Sequence, residues 1–352
     1  MTALTLEEIA RQAGVSRSTV SRVVNQHPSV SPEVRARVMQ VIEATGYQPN
    51  LAARSLASQR TRIIGLLIPR RIDSIFGDPF FPGLTMGIAQ ACNHFDYTVS
   101  LFLTDTLEDE RKLLPRLSQP GMVDGVIVQS TYEQDPAIPA LQGGQVPFIV
   151  VGRPFAGLYT AFVDVDNVAG ARLAVDHLAS LGYRRIATIT GALNTQAARH
   201  RLQGYRQALA EHGLAAAEDW VQEGDFSEAG GYQATVRLLA LPAQERPQAI
   251  FAASDAMALG ALRACQAAGL AVPEQLALVG FDDLPPAASS RPALTTIRQP
   301  IQVLGYRAVE LLVGMLETSG EDLPQHVLQP ELVVRQSCGA PPGMLSGAAV
   351  EK

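Results

Sequence analysis

"VSRSTVSRVVNQ", residues 15–26, carries two arginines, four hydroxyl side chains and no acid, in a chain of 352 residues whose formal net charge is −6. As a helix the stretch places Val20, Val23 and Val24 on one face, the i, i+3, i+4 spacing of a buried stripe. Arg17, Ser18, Ser21 and Arg22 then project from the other face, and Ser16 is suited to cap the first turn by accepting from a free backbone N–H. A face made only of donors and small polar groups suits phosphates and the acceptor edges of bases. On a helix standing alone, the same face would be ordinary solvated surface.

The flanking residues favour the first reading. "TLEEIARQAG" (5–14) opens with Thr5 and has Glu8 three residues on, a capping box. Its apolar stripe is Leu6, Ile9, Ala10 and Ala13, and Gly14 is placed to stop it. Only Gly14 and Val15 separate this helix from the next cap, the spacing of a helix-turn-helix. A third helix is predicted from Ser31 as cap, Pro32 at its first position, Val34, Val38, Val41 and Ile42 at helical spacing, and Gly46 as stop. Residues 1–62 hold eight arginines and four glutamates, a net of +4, which leaves −10 on the rest of the chain. A basic head on an acidic body is the asymmetry expected when the head alone touches phosphate.

"YQPNLAARSLASQRT" (47–61) follows. Pro49 disfavours helix before it, Asn50 can cap, and the helix this predicts is barely two turns, too short to be stable alone in water. It is expected to order on binding DNA. Leu56 then reads as an apolar wedge for the minor groove, or the segment is a plain linker with an incidental leucine.

The body, from residue 61, repeats apolar runs of strand length: "IIGLLI" (63–68), "TVSLFL" (98–103), "GVIVQ" (125–129), "FIVV" (148–151), "RIATIT" (185–190), "AIFAAS" (249–254) and "LALVGF" (276–281). Amphipathic segments lie between them, among them Asn167 to Leu181, Arg199 to His212 and Asp255 to Ala268. This alternation predicts βαβ units with parallel sheets, and the length suffices for two of them. No apolar run reaches the roughly 18–20 residues of a membrane span. With no signal peptide before the first capped helix, the protein is expected in the cytoplasm and apart from membranes. Cys92, Cys265 and Cys338 are few and scattered, without metal-ligand spacing, so no metal and no cofactor is expected. No phosphate-binding, nucleophile-elbow or dinucleotide motif is present, and the chain is not expected to be an enzyme.

Open α/β units bind ligands at the carboxyl ends of their strands. The loops there carry Asp78, Phe80 and Phe81 in "GDPFFPG", Arg153 in "VVGRPF", Phe226 in "EGDFSEAGGY", and Asp282 and Asp283 in "GFDD", and the helix after another strand carries Arg201 in "RHRLQGY". A carboxylate, guanidinium groups and aromatic rings are what a sugar ring uses, for its hydroxyls and its apolar C–H face respectively.

"TLEEIARQAGVSRSTVSRVVNQ" (5–26) and "VSPEVRARVMQVIEATGYQPNLAARSLA" (30–57) resemble the DNA-binding head of the LacI/GalR family of bacterial transcriptional regulators. "DNVAGARLAVDHLASLGYRRIATITG" (166–191), "ASDAMALGAL" (253–262) and "LALVGFDDLPPAASSRPALTTIRQP" (276–300) extend the resemblance along the body. It implies an all-α helix-turn-helix domain at 1–48, a hinge helix at 49–60, and a periplasmic-binding-protein-like α/β core of two parallel-sheet subdomains at 61–340. The N-subdomain is expected at about 61–163 and 293–322, the C-subdomain at 164–292 and 323–340, and a disordered tail at 341–352.

Position by position, the resemblance implies that Arg17, Ser18 and Arg22 read bases. Thr5, Ser16, Thr19, Ser21, Asn25 and Ser31 would contact phosphates, with Asn50 capping the hinge, Leu56 as wedge, and Ala53 and Ala57 allowing paired hinges to approach. Arg201, Asp282 and Phe226 match effector-contacting positions, with Asp166 and Ser254 at looser ones; relatives often have Asn where Ser254 and Asp78 stand. The expected partners are a pseudopalindromic double-stranded operator, a second copy of the chain, and a mono- or disaccharide effector. A nucleobase, nucleoside or phosphorylated metabolite is the alternative, and repressor or activator stays open.

Overall fold

The structure, a computed structural model, describes residues 4–24, 28–47, 60–69, 78–129, 132–155, 157–318 and 323–345. The chain divides into two compact units, residues 1–62 and 63–352. Asn25, Asn50, Ala53, Leu56 and Ala57, and with them the hinge helix, lie outside the described residues.

Among its described residues the first unit holds three helices: α1 (Leu6–Ala13), α2 (Arg17–Val24) and α3 (Pro32–Thr45). The capping box forms as its spacing dictates, Glu8 N donating to Thr5 Oγ1 at 3.4 Å and Thr5 N to Glu8 Oε2 at 2.9 Å. Gly14 and Gly46 close α1 and α3 in the left-handed region, φ +63° and +64°, where a Cβ would be strained. Ile9, Ala10, Ala13, Val20, Val23, Val38 and Tyr47 form the core, with Val24, Val34, Val41 and Ile42 only half-buried around it.

The second unit contains two six-stranded sheets. The first holds β1 (Ile63–Ile68), β2 (Thr98–Leu103), β3 (Gly125–Val128), β4 (Phe148–Val151), β5 (Phe162–Val165) and β11 (Gln325–Leu328), in the order β11-β5-β4-β3-β1-β2. All its pairings are parallel. The second holds β6 (Ile186–Thr190), β7 (Val221–Glu223), β8 (Ala249–Ala252), β9 (Ala277–Asp282), β10 (Thr295–Arg298) and β12 (Glu331–Val333), in the order β12-β10-β9-β8-β6-β7. Here β12 is an antiparallel edge on an otherwise parallel sheet.

Each sheet is covered on both faces. In β1, Ile64, Leu66 and Ile68 point into a core closed by α4 (Phe80–His94) and α12 (Ile301–Glu317), while Leu67 points to the opposite core under α5 (Leu107–Leu117) and α6 (Ala137–Gln142). This two-residue alternation inside a wholly apolar run is what burial of both faces requires. Around the second sheet, α7 (Asn167–Ser180) and α8 (Gln196–Glu211) cover one face. On the other lie α9 (Glu228–Leu239) and α10 (Asp255–Ala267), with the short α11 (Pro285–Ser289) packed beside α10. Among the described residues no helix is long and apolar enough to cross a membrane.

The chain crosses between the sheets three times: from β5 into α7, from β10 into α12, and from β11 into β12. The first crossing comes after Val165, because Asp164 and Val165 still pair with β11 in the first sheet. The other two also correct the expectation. Residues 295–298 belong to the second sheet, as β10, so the crossing comes after Arg298 and not at Ala293. Residues 325–328 belong to the first sheet, as β11, so the last crossing lies beyond Leu328 and not at Leu323. The cause is non-local: β10 is buried by pairing with β9, and its polar Thr295 and Thr296 donate to Cys338 Sγ and Asp255 Oδ1. At the carboxyl end, residues 342–344 form a 3₁₀ turn, so the expected disordered tail does not begin at 341.

Candidate functional site

In the head, burial of Val20 and Val23 turns the remaining face of α2 outward. Ser16, Arg17, Ser18 and Arg22 are exposed, and Thr19 and Ser21 half-exposed. Ser16 Oγ accepts from Thr19 N at 3.1 Å and lies 2.8 Å from the hydroxyls of both Ser18 and Thr19. Thr5 and Ser31 are exposed caps at the starts of α1 and α3. The amino ends of all three helices therefore offer hydroxyls and N–H groups at the surface, where a helix favours anions. Arg17 Nε lies 3.0 Å from Glu7 Oε1, with both side chains mostly exposed. Such a surface pair is worth little and is readily exchanged for a phosphate or a base.

The second site is a cleft in the body, about 660 Å³ measured out to its mouth. Its lining comes from strand ends: Asp78, Phe80 and Phe81 beyond β1, Gln129 and Tyr132 beyond β3, Thr195 beyond β6, Phe226 beyond β7, Ser254 and Ala256 beyond β8, Asp282 closing β9, and Gln299 beyond β10. In both sheets the strand order reverses beside the first strand of the unit, β1 or β6, leaving room between the connections. A ligand site at that point is the general rule for open α/β sheets.

Arg201 is the centre of the cleft's electrostatics. It is buried on α8; its Nε donates to Asn167 Oδ1 at 2.8 Å and its Nη1 donates to the Ala253 carbonyl. The same Nη1 lies 3.7 Å from Asp282 Oδ1, and the guanidinium carbon stands 3.7 Å from the centre of the Phe281 ring and 5.9 Å from that of Phe226. Gln299 Nε2 donates to Asp282 Oδ1. Burial pushes the Asp282 carboxyl well above the usual carboxylate range; Arg201 pulls it back down, and Asp78 adds to the rise. Burial likewise lifts Asp164 to about 6, opposed by Arg153 and Arg201. One guanidinium thus holds several carboxylates that would otherwise be too costly to keep charged.

The backbone at the lip is strained. Phe226, Asp282 and Asp283 have φ of +67°, +123° and +58°, a region that side chains other than glycine's avoid. Such conformations persist where the surroundings over-determine them, and they gather at ligand sites. Gly191 makes room for the Phe226 ring, because a Cβ there would stand 1.9 Å from Cζ. Gly191→Ala is expected to force that ring out of place and to lower stability by ~1–3 kcal/mol. A urea melt checks the cost, and an unchanged midpoint would show that the ring has somewhere else to go.

Seven of the nine expected effector residues line this one cleft: Asp78, Phe80, Phe81, Arg201, Phe226, Ser254 and Asp282. Several also have structural work. Asp78 Oδ1 accepts from Phe80 N, Ser254 Oγ caps α10 through Met257 N, and Phe81 is buried in the first sheet's core. The structure does not bring Arg153 or Asp166 into the lining. Arg153 lies over the Phe162 ring and pairs with Asp164 at 3.8 Å, while Asp166 caps α7 by accepting from Ala169 N. Gln129, Tyr132, Thr195, Ala197, Ala256 and Gln299 line the cleft without having been singled out in the sequence. For Gln129 the signal was available, since it directly follows the buried apolar strand β3.

Residues 5–50 match the bacterial regulatory proteins of the lacI family, and residues 175–338 match the periplasmic binding protein-like domain. The HTH-type transcriptional regulator CelR of Thermobifida fusca is 37% identical over 337 residues, covering 95% of this chain and 98% of that protein. The ribose operon repressor of Escherichia coli (strain K12) is 36% identical over 337 residues, covering 95% and 99%. Among solved structures, a CelR–cellobiose complex superposes with a TM-score of 0.75 at 36% identity, covering 95% of this chain and 99% of that one. The lac repressor dimer bound to operator and the anti-inducer ONPF superposes with a TM-score of 0.83 at 28% identity, covering 96% and 100%. The chain belongs to the lacI family of bacterial regulatory proteins: a DNA-binding transcriptional regulator with a helix-turn-helix head and a periplasmic-binding-protein-like body.

Proposed function

We propose that this regulator is a cytoplasmic repressor of carbohydrate-utilisation genes, that it has no enzymatic activity, and that it binds a pseudopalindromic operator as a homodimer. A neutral mono- or disaccharide in the body's cleft controls it. The observation that carries the effector reading is the buried Arg201–Asp282 pair beside the Phe226 ring. A carboxylate and a guanidinium in a water-poor cleft meet vicinal hydroxyls with bidentate hydrogen bonds, and the ring meets the C–H face. A phosphorylated effector fits less well, because the cleft's one buried guanidinium among the described residues is already matched by Asp282 and Asp164. That CelR was solved with cellobiose supports the same reading.

In the head, Arg17, Ser18 and Arg22 read bases, and Thr5, Ser16, Thr19, Ser21 and Ser31 hold phosphates. A single head makes too few base contacts for selectivity against a genome, whereas two linked heads multiply through effective concentration. Occupancy of the cleft shifts operator affinity through a coupling of about 1–3 kcal/mol, which is roughly 5–150-fold.

The test is a thermal-shift screen with cellobiose, ribose, sugar phosphates and nucleobases. A ligand at a hundredfold excess over its Kd stabilises the native state by about 2.7 kcal/mol. The expected result is a neutral-sugar hit that also changes operator affinity. A response confined to sugar phosphates or nucleobases would overturn the saccharide reading.

A further inference from the structure

Asp282 and Asp283 are consecutive at the end of β9, both at positive φ, and their carboxylates serve different partners. Asp282 faces the cleft, with Arg201 and Gln299. Asp283 binds two arginines outside it: Arg298 Nε donates to Oδ2 at 2.7 Å and Arg335 Nη2 donates to Oδ1 at 2.6 Å. Side-chain exposure is 9% for Asp283 and 17% for Arg335, so that pair is largely out of water. The next residue is held too, Leu284 N donating to the buried Asp255 Oδ2 at 2.8 Å. Three successive residues are pinned by three separate elements, the condition under which a strained turn survives.

Arg298 stands at a chain crossing, and Arg335 lies two residues beyond β12, which follows another. Arg298 is the last residue of β10, three residues before α12 begins against the first sheet. Its Nη1 also lies 3.8 Å from Glu331 Oε2, on the first residue of β12, immediately after the third crossing. Arg335 follows β12; its Nη1 donates to the Leu294 carbonyl at 2.9 Å and its backbone N to Thr295 Oγ1 at 2.8 Å, tying it back to β10. One carboxylate therefore joins the cleft's lip to the second and third crossings between the sheets.

We infer that Asp283 is a positioning residue that couples the cleft to the chain crossings, so that a shift of Asp282 on ligand binding is passed through Arg298 and Arg335 to the connections carrying the first sheet. It does not touch the ligand; it makes the lip and the crossings move as one. The ligand-dependent part of this inference rests on the saccharide reading above, while the mechanical link does not.

The experiment is amide hydrogen exchange on the full-length protein and its Asp283→Asn variant. Asparagine tolerates positive φ, so the substitution removes the charge and leaves the backbone conformation accessible. Without ligand, exchange is expected to rise about tenfold at residues 299–302 and 328–332, relative to the β3 amides of the same molecule, as charge-assisted hydrogen bonds are lost. Arg298→Gln is expected to loosen 299–302 more than 334–337, and Arg335→Gln the reverse. A rise confined to 282–284, or an equal rise in β3, would overturn the inference, because Asp283 would then be a local or a global structural residue. With millimolar cellobiose, protection is expected at the lip and both crossings in the wild type, and at the lip alone in Asp283→Asn. Absence of any cellobiose effect in the wild type would count against that sugar, and the ligand-free comparison would still decide the coupling.

Discussion

Arg201→Ala is expected to destabilise the body by about 3–5 kcal/mol and to abolish its response to effector. The size follows from what is left behind: removing one partner of a buried pair strands the other charge. Here the stranded group is Asp282, with Asp164 deprived of a second, longer-range attraction. The hydrogen bonds to Asn167 Oδ1 and the Ala253 carbonyl go as well. Acid should relieve part of the loss. Burial already raises both carboxyls, Asp164 to about 6 and Asp282 to about 7, and without the guanidinium they rise further, so at pH 5 both are protonated with or without Arg201 and the variant then carries no extra charge penalty. The cost of a raised carboxyl is complete above its folded pKa, diminishes as pH falls below it, and is gone only below the unfolded value, so variant and wild type differ only above the wild-type folded pKa. The deficit measured by urea unfolding is therefore expected to be largest at pH 8 and to shrink toward pH 5. A deficit of equal size at both would mean that lost packing against Phe281, and not stranded charge, is responsible. Arg201→Lys is not expected to rescue the effector response, because an ammonium cannot replace the planar fork that reaches Asn167, Ala253 and Asp282 together.

Arg22→Ala is expected to remove most discrimination between operator and unrelated DNA while leaving the head folded. Arg22 is exposed on α2, and the residues that hold the helix are Val20 and Val23, so its truncation leaves no cavity. A bidentate arginine–guanine contact is worth ~1–3 kcal/mol of discrimination in each half-site, roughly twice that across a twofold operator if the halves add. Non-specific binding should fall only modestly, with less salt dependence if a phosphate contact has also been lost. Fluorescence anisotropy against operator and random duplexes separates the two effects. Equal loss on both would make Arg22 a phosphate contact and move base reading to Arg17 and Ser18.

The two predictions concern parts of the chain that were unequally legible. The head could be read almost residue by residue, because its signals are local. Thr5 and Glu8 are three apart and cap each other; Ser31, Pro32 and Gly46 sit where a helix begins and ends; Val20 and Val23 fall on one face by the period of the helix alone. The strands of the body were legible for a similar reason, since a run such as "IIGLLI" has no polar face and has to be covered on both sides. Strand ends were marked in the sequence as the place to look, and Phe226 beyond β7, Asp282 closing β9 and Arg201 on α8 line the cleft.

What the sequence by itself determined, then, is the set of elements, the two kinds of unit, and the chemistry of the residues offered at their ends. Only the tertiary structure decided which sheet each late strand joins, and so where the chain crosses: β10 and β11 are set by pairing with β9 and β5, partners 16 residues away for the first and 163 away for the second. It also separated Arg153 and Asp166, engaged by Asp164 and by the start of α7, from the cleft residues they resemble in type, and brought Gln129, Tyr132 and Gln299 in. The positive φ of Asp282 and Asp283 belongs to the same category. Residue type argues against it, and it exists because Asp255, Arg298, Arg335 and Gln299 hold the lip from several directions at once, a many-body constraint that no local pattern encodes.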